Sequence, residues 1–288
     1  MPFASPQDFA RPDCLEAALA LRAQAGWRPL AGGTDLFAAT RAQRLAGPVL
    51  DLTAVDELRG LSPLPDGGLR IGAATPWAEI ARAPLPPGLS MLAAAARQVG
   101  GRQVQSRGTI GGNLCNASPA ADGVPPLLAA GAIVELASAR ARRRMPLATF
   151  LQGPRRTLLG ADELMVAIEI PARGLEGGSA FLKLGARAHL VISIVMVAAR
   201  ITCRGDRITD AAVAVGACSG TALRLTALEA ALAGRHPAEG FDPALVTAAL
   251  SPLDDIRATA DYRRTAAAEL VARALRAAAQ GVPPEIAA

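Results

Sequence analysis

Several polar side chains that usually carry chemistry are almost missing from this 288-residue chain. Two histidines and a single tyrosine, Tyr262, leave little to serve as a proton-transferring base. The four cysteines, Cys14, Cys115, Cys203 and Cys218, form no Cys-x-x-Cys pair. Neither a zinc site nor an iron–sulfur cluster is therefore expected, and the thiols read as small core residues. Aromatic residues make up 3% against 51% hydrophobic residues, so the core is aliphatic and large enough to exclude global disorder. The opening MPFASPQDFA lacks the basic stretch and apolar run of a secretory leader. The uncharged apolar stretch from Leu190 to Ala199 is about half of the roughly 20 residues that span a bilayer. A soluble, cytoplasmic protein without a membrane span is the expectation.

Common nucleotide signatures are absent too. The chain has no Gly-x-Gly-x-x-Gly and no Gly-x-x-x-x-Gly-Lys-Ser/Thr. Its net charge is +5, yet the densest basic run, Arg140 to Arg144, has no aromatic neighbour closer than Phe150. Nucleic acid is not an expected partner on that pattern. A solvated face is the first reading of the run, and a docking surface the second. Of the 30 Lys and Arg residues all but one are arginine. The exception, Lys183, marks a place where a compact ammonium fits and a planar guanidinium does not.

Organisation changes twice along the chain. The first 55 or so residues read as strand, helix, strand, helix, strand, which suggests a small parallel sheet, with Asp13 as candidate cap of the first helix. From about Gly68, strands (GLRIGAAT, GAIVELAS, LMVAIEIP) and helices (PWAEIARAP, GLSMLAAAARQVGG) mix in an α+β pattern. A Pro/Gly-rich link from Pro171 to Ser179 then marks a domain boundary. Beyond it come three strands of an antiparallel meander and, after them, only helices.

What is present stands out against this background. The only two asparagines, Asn113 and Asn116, sit in TIGGNLCNASPAAD beside the pair Gly111-Gly112. A counterpart, AGGTDL from Ala31 to Leu36, carries Gly32-Gly33. Each pair stands where a strand breaks into a turn. Glycine permits positive φ and close backbone approach, so consecutive amides can converge on one anion. Two such loops suit a diphosphate clasped between two subdomains.

Together, AGGTDL and GTIGGNLCNASPAAD resemble the FAD-binding medium subunit of the molybdenum hydroxylases, the xanthine dehydrogenase and carbon monoxide dehydrogenase group. FLKLGARAHLVISIVMVAA and DDIRATADYRR are similar to later segments of that family in the same order, so the resemblance spans nearly the whole chain. It implies an α+β fold: a two-subdomain vanillyl-alcohol-oxidase (PCMH)-type FAD-binding domain over 1–175, with subdomains of about 1–56 and 57–175. A C-terminal domain over 179–288, built of a three-stranded antiparallel sheet and helices, is implied to follow. The implied cofactor is noncovalent FAD, its diphosphate held by the backbone of Leu30, Ala31, Gly32, Gly33, Thr34, Asp35 and Leu36 and of Thr109, Ile110, Gly111, Gly112 and Asn113. Asp122 would bond a ribityl or flavin polar group with Ser118 nearby, Leu164 would lie against the ring, and Lys183 would tune the flavin rather than hold the fold.

The resemblance also implies partners. A large subunit would hold the molybdenum cofactor and a small subunit two 2Fe–2S clusters, while this chain passes electrons from FAD to an external acceptor. No residue here is expected to be catalytic in its own right, and no metal is expected in this chain. Two departures matter: Arg187 is followed by Val191 where many relatives carry aspartate, and Gln103-Val104-Gln105 stands where many read Gln-Ile-Arg. The rival reading is a self-contained FAD oxidase or dehydrogenase of the same fold.

Overall fold

A computed structural model describes residues 9–41 and 45–281. Three short strands, β1 (Phe9–Ala10), β2 (Arg28–Leu30) and β3 (Val49–Asp51), form a parallel sheet in the order β1-β3-β2. Helix α1 (Leu15–Arg22) packs Leu15, Ala18 and Leu19 into the same core as Leu50 and Leu52. Asp13 does not cap it. The free amide of Leu15 is taken instead by the Glu57 carboxylate at 3.1 Å, from a segment the sequence pattern does not bring near. The second helix expected before Gly47 is absent: residues 34–39 form consecutive turns, and 42–44 lie outside the described residues.

Five strands build the second sheet: β4 (Leu61–Pro63), β5 (Leu69–Gly72), β6 (Ile133–Ala137), β7 (Arg142–Pro146) and, after the small hairpin β8 (Leu151–Gly153) and β9 (Arg156–Thr157), β10 (Leu164–Ile170). Their order is β4-β5-β10-β6-β7, antiparallel throughout. Helices α2 (Trp77–Ile80), α3 (Ser90–Gln98), α4 (Arg102–Arg107), α5 (Ile110–Asn116), α6 (Val124–Ala129) and α7 (Leu147–Phe150) complete this part. Its core joins Ile71, Val134 and Ile168 of the sheet to Trp77, Leu92 and Ile110 of the helices.

The basic run lies on the edge strand β7. Arg142 pairs with Glu135, Arg143 with Glu163 and Arg144 with Glu169, at 2.9, 2.6 and 2.6 Å. Glu135 and Glu169 are buried, so their arginines answer carboxylates that would otherwise be covered unpaired, and charges on an edge strand discourage pairing with another sheet. Each of these arginines is thus matched by a glutamate.

The C-terminal sheet comprises β11 (Gly178–Leu184), β12 (Val195–Arg204), β13 (Arg207–Gly216) and a two-residue β14 (Leu223–Arg224), in that order. The expected three-stranded meander thus has a short fourth strand, too brief to leave a periodic signal. Both faces of this sheet are covered over Val195–Ala199 of β12 and Ala211–Gly216 of β13, which read as continuous apolar runs. Met196, Ala198, Ala212 and Ala214 face the first domain. Val195, Val197, Val213 and Val215 face helices α8 (Thr226–Leu232), α9 (Ala244–Thr247) and α10 (Ala260–Gln280). On β11, Phe181 joins the first-domain core while Ala180 joins the helical side. Side chains alternate along a strand, so Lys183 follows Phe181 and points toward the first domain. Helix α10 is stopped cleanly, capped by Thr259 at its start and by Gly281 at φ 65° at its end.

Candidate functional site

A cleft of about 500 Å³ opens at the carboxyl end of β2, between the parallel sheet and α5. One wall is the loop from Leu30 to Leu36; the other is Thr109, Gly111, Gly112 and Asn113. Leu52, Leu58, Trp77, Val99 and Leu164 make apolar parts of its lining, while Asn116 and Arg155 also border it. The two glycine loops, far apart in sequence, are therefore brought together. Ile110 is the exception, since its side chain is fully buried in the core.

The first loop is shaped for an anion. None of the six amides from Ala31 to Leu36 donates a hydrogen bond to another described residue. Buried or half-buried amides are normally paired, so a run of open ones in a cleft is a place for acceptor oxygens. Gly33 takes φ +75°, which turns the chain. Gly32 has a different reason to be glycine: a Cβ there would stand 1.8 Å from the carbonyl oxygen of Arg107. The two loops touch backbone to backbone at this point.

The second loop differs from the expectation of converging amides. The amide of Ile110 donates to the Thr75 carbonyl at 3.1 Å and that of Gly111 to the Ala73 carbonyl at 2.8 Å. Gly112 donates to Thr109 Oγ1 and Asn113 to the Thr109 carbonyl. These amides moor α5 to the end of β5 and to its own cap. What the segment offers the cleft is side-chain chemistry. Asn113 lines the cleft, while its Oδ1 is buried with no hydrogen-bond partner among the described residues.

Asp122, Lys183 and Ser118 do not line the cleft. Ser118 Oγ accepts from the Ala120 amide and shapes the turn after α5. Lys183 is buried and its Nζ lies 2.9 Å from Asp122 Oδ1. It also donates to the Gln98 carbonyl at 3.2 Å, one residue before Val99 of the cleft wall. Ser193 donates its hydroxyl to Asp122 Oδ1 at 3.1 Å. Burial raises the Asp122 pKa above the usual carboxylate value, while Lys183 and then Ser193 pull it back. The ion pair gives Lys183 a structural load that its rarity in the sequence does not reveal.

The segment carrying Ser193 is clamped by the DDIRATADYRR stretch. Arg257 donates to the Ser193 carbonyl at 2.8 Å, and the buried Arg263 donates to the Ile194 carbonyl at 2.7 Å. Asp255 bonds both guanidinium groups, and its carboxyl is held well below the usual range, chiefly by the hydrogen bond from Arg257. Sequence reasoning missed Ser193, Arg155 and Asn116 as neighbours of the site. Asn116 had a signal, as one of two asparagines; the others lie in loops whose sequence does not say where they fold back.

Among the cysteines, Cys115 borders the cleft, and burial pushes its thiol up to about 12. Burial likewise pushes Cys218 up to about 11, whereas Cys203 is exposed. Since the thiolate is the reactive form, alkylation at pH 8 followed by mass spectrometry should label Cys203 well before Cys115 or Cys218. Early labelling of Cys115 would contradict the buried thiol.

Fold and cleft together define a two-subdomain FAD-binding unit followed by a C-terminal sheet-and-helix domain. The family model described as "FAD binding domain in molybdopterin dehydrogenase" matches residues 3–173, and that of the "CO dehydrogenase flavoprotein C-terminal domain" matches 180–278. The chain belongs to the family of FAD-binding medium subunits of molybdenum hydroxylases. It is 31% identical over 284 residues to the carbon monoxide dehydrogenase medium chain of Hydrogenophaga pseudoflava, covering 94% of this chain and 96% of that one. It is 32% identical over 252 residues to the nicotine 6-hydroxylase medium subunit of Paenarthrobacter nicotinovorans, covering 85% and 87%. Among solved structures, quinoline 2-oxidoreductase from Pseudomonas putida 86 matches with a TM-score of 0.86 at 26% identity, covering 98% of this chain and 99% of that one. Carbon monoxide dehydrogenase from H. pseudoflava matches with a TM-score of 0.86 at 29% identity, covering 96% and 98%.

The residues present fit FAD. The amides from Ala31 to Leu36, which donate to no described residue, suit its diphosphate, and the apolar lining suits its rings. None of the described helices is long and apolar enough to cross a membrane.

Proposed function

We propose that this chain is the FAD-carrying electron-transfer subunit of a multi-subunit molybdenum hydroxylase in the cytoplasm. It takes electrons from 2Fe–2S clusters of a partner subunit, beside a large subunit with the molybdenum cofactor, and passes them to an external acceptor. The supporting observation is the run of amides from Ala31 to Leu36 that donate to no described residue, in the cleft that the 109–113 segment also lines. FAD supplies the redox chemistry when bound noncovalently; the chain supplies position and electrostatics.

In this reading residues 1–175 are the FAD-binding domain and 179–288 the domain that backs it. The loop from Leu30 to Leu36 donates to the diphosphate, and the 109–113 segment contributes its close-packed glycine surface and Asn113. Leu164 gives the ring an apolar contact and excludes water there. Behind Gln98 and Val99, Lys183 and Asp122 set the charge felt through the cleft wall, and Ser193 and Ser118 shape that end. Loss of the Lys183 cation would leave the Asp122 charge uncompensated behind that wall and disfavour a ring that gains negative charge on reduction.

Co-expression with neighbouring molybdenum-subunit and iron–sulfur-subunit genes tests the assignment. Size-exclusion chromatography should place all three chains in one complex, and the complex's substrate should bleach the flavin only when the partners are present. A chain that stays alone beside them and reduces its own flavin with a small organic substrate would establish the self-contained oxidase.

A further inference from the structure

The cleft mouth holds an arrangement that the glycine loops do not account for. Asp35, the one carboxylate within the open-amide loop, accepts from Asn116 Nδ2 at 2.8 Å. Asn116 Oδ1 in turn accepts from Arg155 Nη1 at 2.5 Å. Arg155 sits in the turn between β8 and β9 and borders the same cleft. Its backbone is held in the left-handed region at φ 55°, facing Ala117 at φ 46°, and its amide donates to the Ala117 carbonyl at 2.8 Å. Two non-glycine residues in that region, bonded to each other, mean local strain of about 1–3 kcal/mol each, held by the surrounding structure. Strain of this kind concentrates where a side chain must be aimed.

Electrostatics say what the aim is for. A loop that takes a dianion on its amides carries, at Asp35, a negative charge of its own. Like charges this close oppose binding unless a cation answers them. Asn116 engages the Asp35 carboxylate, and Arg155 brings the cation. A guanidinium has five N–H donors, and only Nη1 of Arg155 bonds to a described residue. The remaining donors stand at the lip of the cleft. Arg22 also lines the cleft, but its Nε and Nη1 donate to the Glu163 and Trp27 carbonyls.

We infer that Arg155 is a further cofactor-binding residue: through its free donors it holds the diphosphate half of the dinucleotide, positioned by the Asp35–Asn116 relay. The inference rests on the cleft being the FAD site. Arginine suits the task because its planar fork makes charge-assisted bonds to phosphate.

The test titrates full-length apo-chain with FAD, and then with ADP as competitor, in the wild type, Arg155→Ala and Arg155→Lys. Losing a charge-assisted hydrogen bond predicts that Arg155→Ala weakens both FAD and ADP by about ten- to a hundredfold. Arg155→Lys should recover part of the loss, and the Ala variant should show a shallower salt dependence. Apo melting temperature and the bound-flavin absorption spectrum should match the wild type. Unchanged FAD and ADP affinity in Arg155→Ala overturns the inference. So does a loss of FAD binding that leaves ADP competition untouched or comes with a lowered melting temperature, since the relay would then be only a latch. A wild type that binds no FAD would instead refute the proposed function.

Discussion

Gly32→Val should abolish FAD binding at micromolar concentrations and lower the stability of the apo-chain as well. Blocked access to the amides is only part of the reason. A Cβ at Gly32 would lie 1.8 Å from the Arg107 carbonyl oxygen and 2.8 Å from Gly108 Cα, both backbone atoms that cannot rotate away. Overpacking costs about 1–3 kcal/mol even where side chains can shift. Here the two loops must part, so the cost sits at the top of that range and the cleft loses its shape. Isothermal titration with FAD and a melting curve of the apo-chain measure both effects. A variant that melts like the wild type and binds FAD normally would show that the loops do not meet in solution.

Lys183→Met carries the second large effect. The substitution keeps the volume but leaves Asp122 buried without its cation, and breaking a buried pair on one side costs about 3–5 kcal/mol. The apo-chain should therefore melt on the order of 10 °C lower, against the expectation that Lys183 only tunes the flavin. Adding Asp122→Asn should restore most of the loss, because no uncompensated charge remains. The pH dependence follows from the same group. Burial already raises the Asp122 pKa, and without Lys183 it rises further. The folded chain then holds that proton more tightly than the unfolded chain does. The penalty should be largest at neutral pH and shrink as pH falls through the raised value. A deficit independent of pH would place its origin in packing alone. In the holo-protein the same variant should lower the flavin reduction potential.

Much of this was legible in the sequence, for identifiable reasons. Two Gly-Gly pairs set among polar residues, two lone asparagines and one lone lysine are features that local composition exposes, and all fall in or beside the cleft, although Gly111-Gly112 lies inside α5 and not at a strand end. Continuous apolar runs at Val195–Ala199 and Ala211–Gly216 made the C-terminal strands visible, because the part of a sheet covered on both faces needs no polar alternation. Long-range side-chain geometry was not legible. Nothing local says that Glu57 caps α1, that the amides at Ile110 to Asn113 are already engaged, or that Lys183 meets Asp122 rather than open cleft. Two-residue β14 and the Arg155 turn are too short to leave a periodic signal. The asymmetry between the loops, one offering amides and the other tied down, is a tertiary fact.

That asymmetry is tested most directly by a crystal structure of the chain saturated with FAD. The account predicts diphosphate oxygens within hydrogen-bonding distance of amides between Ala31 and Leu36, with Thr109 to Asn113 keeping their present backbone bonds. A diphosphate seated on the α5 amides with the first loop untouched, or FAD bound outside this cleft, would contradict it.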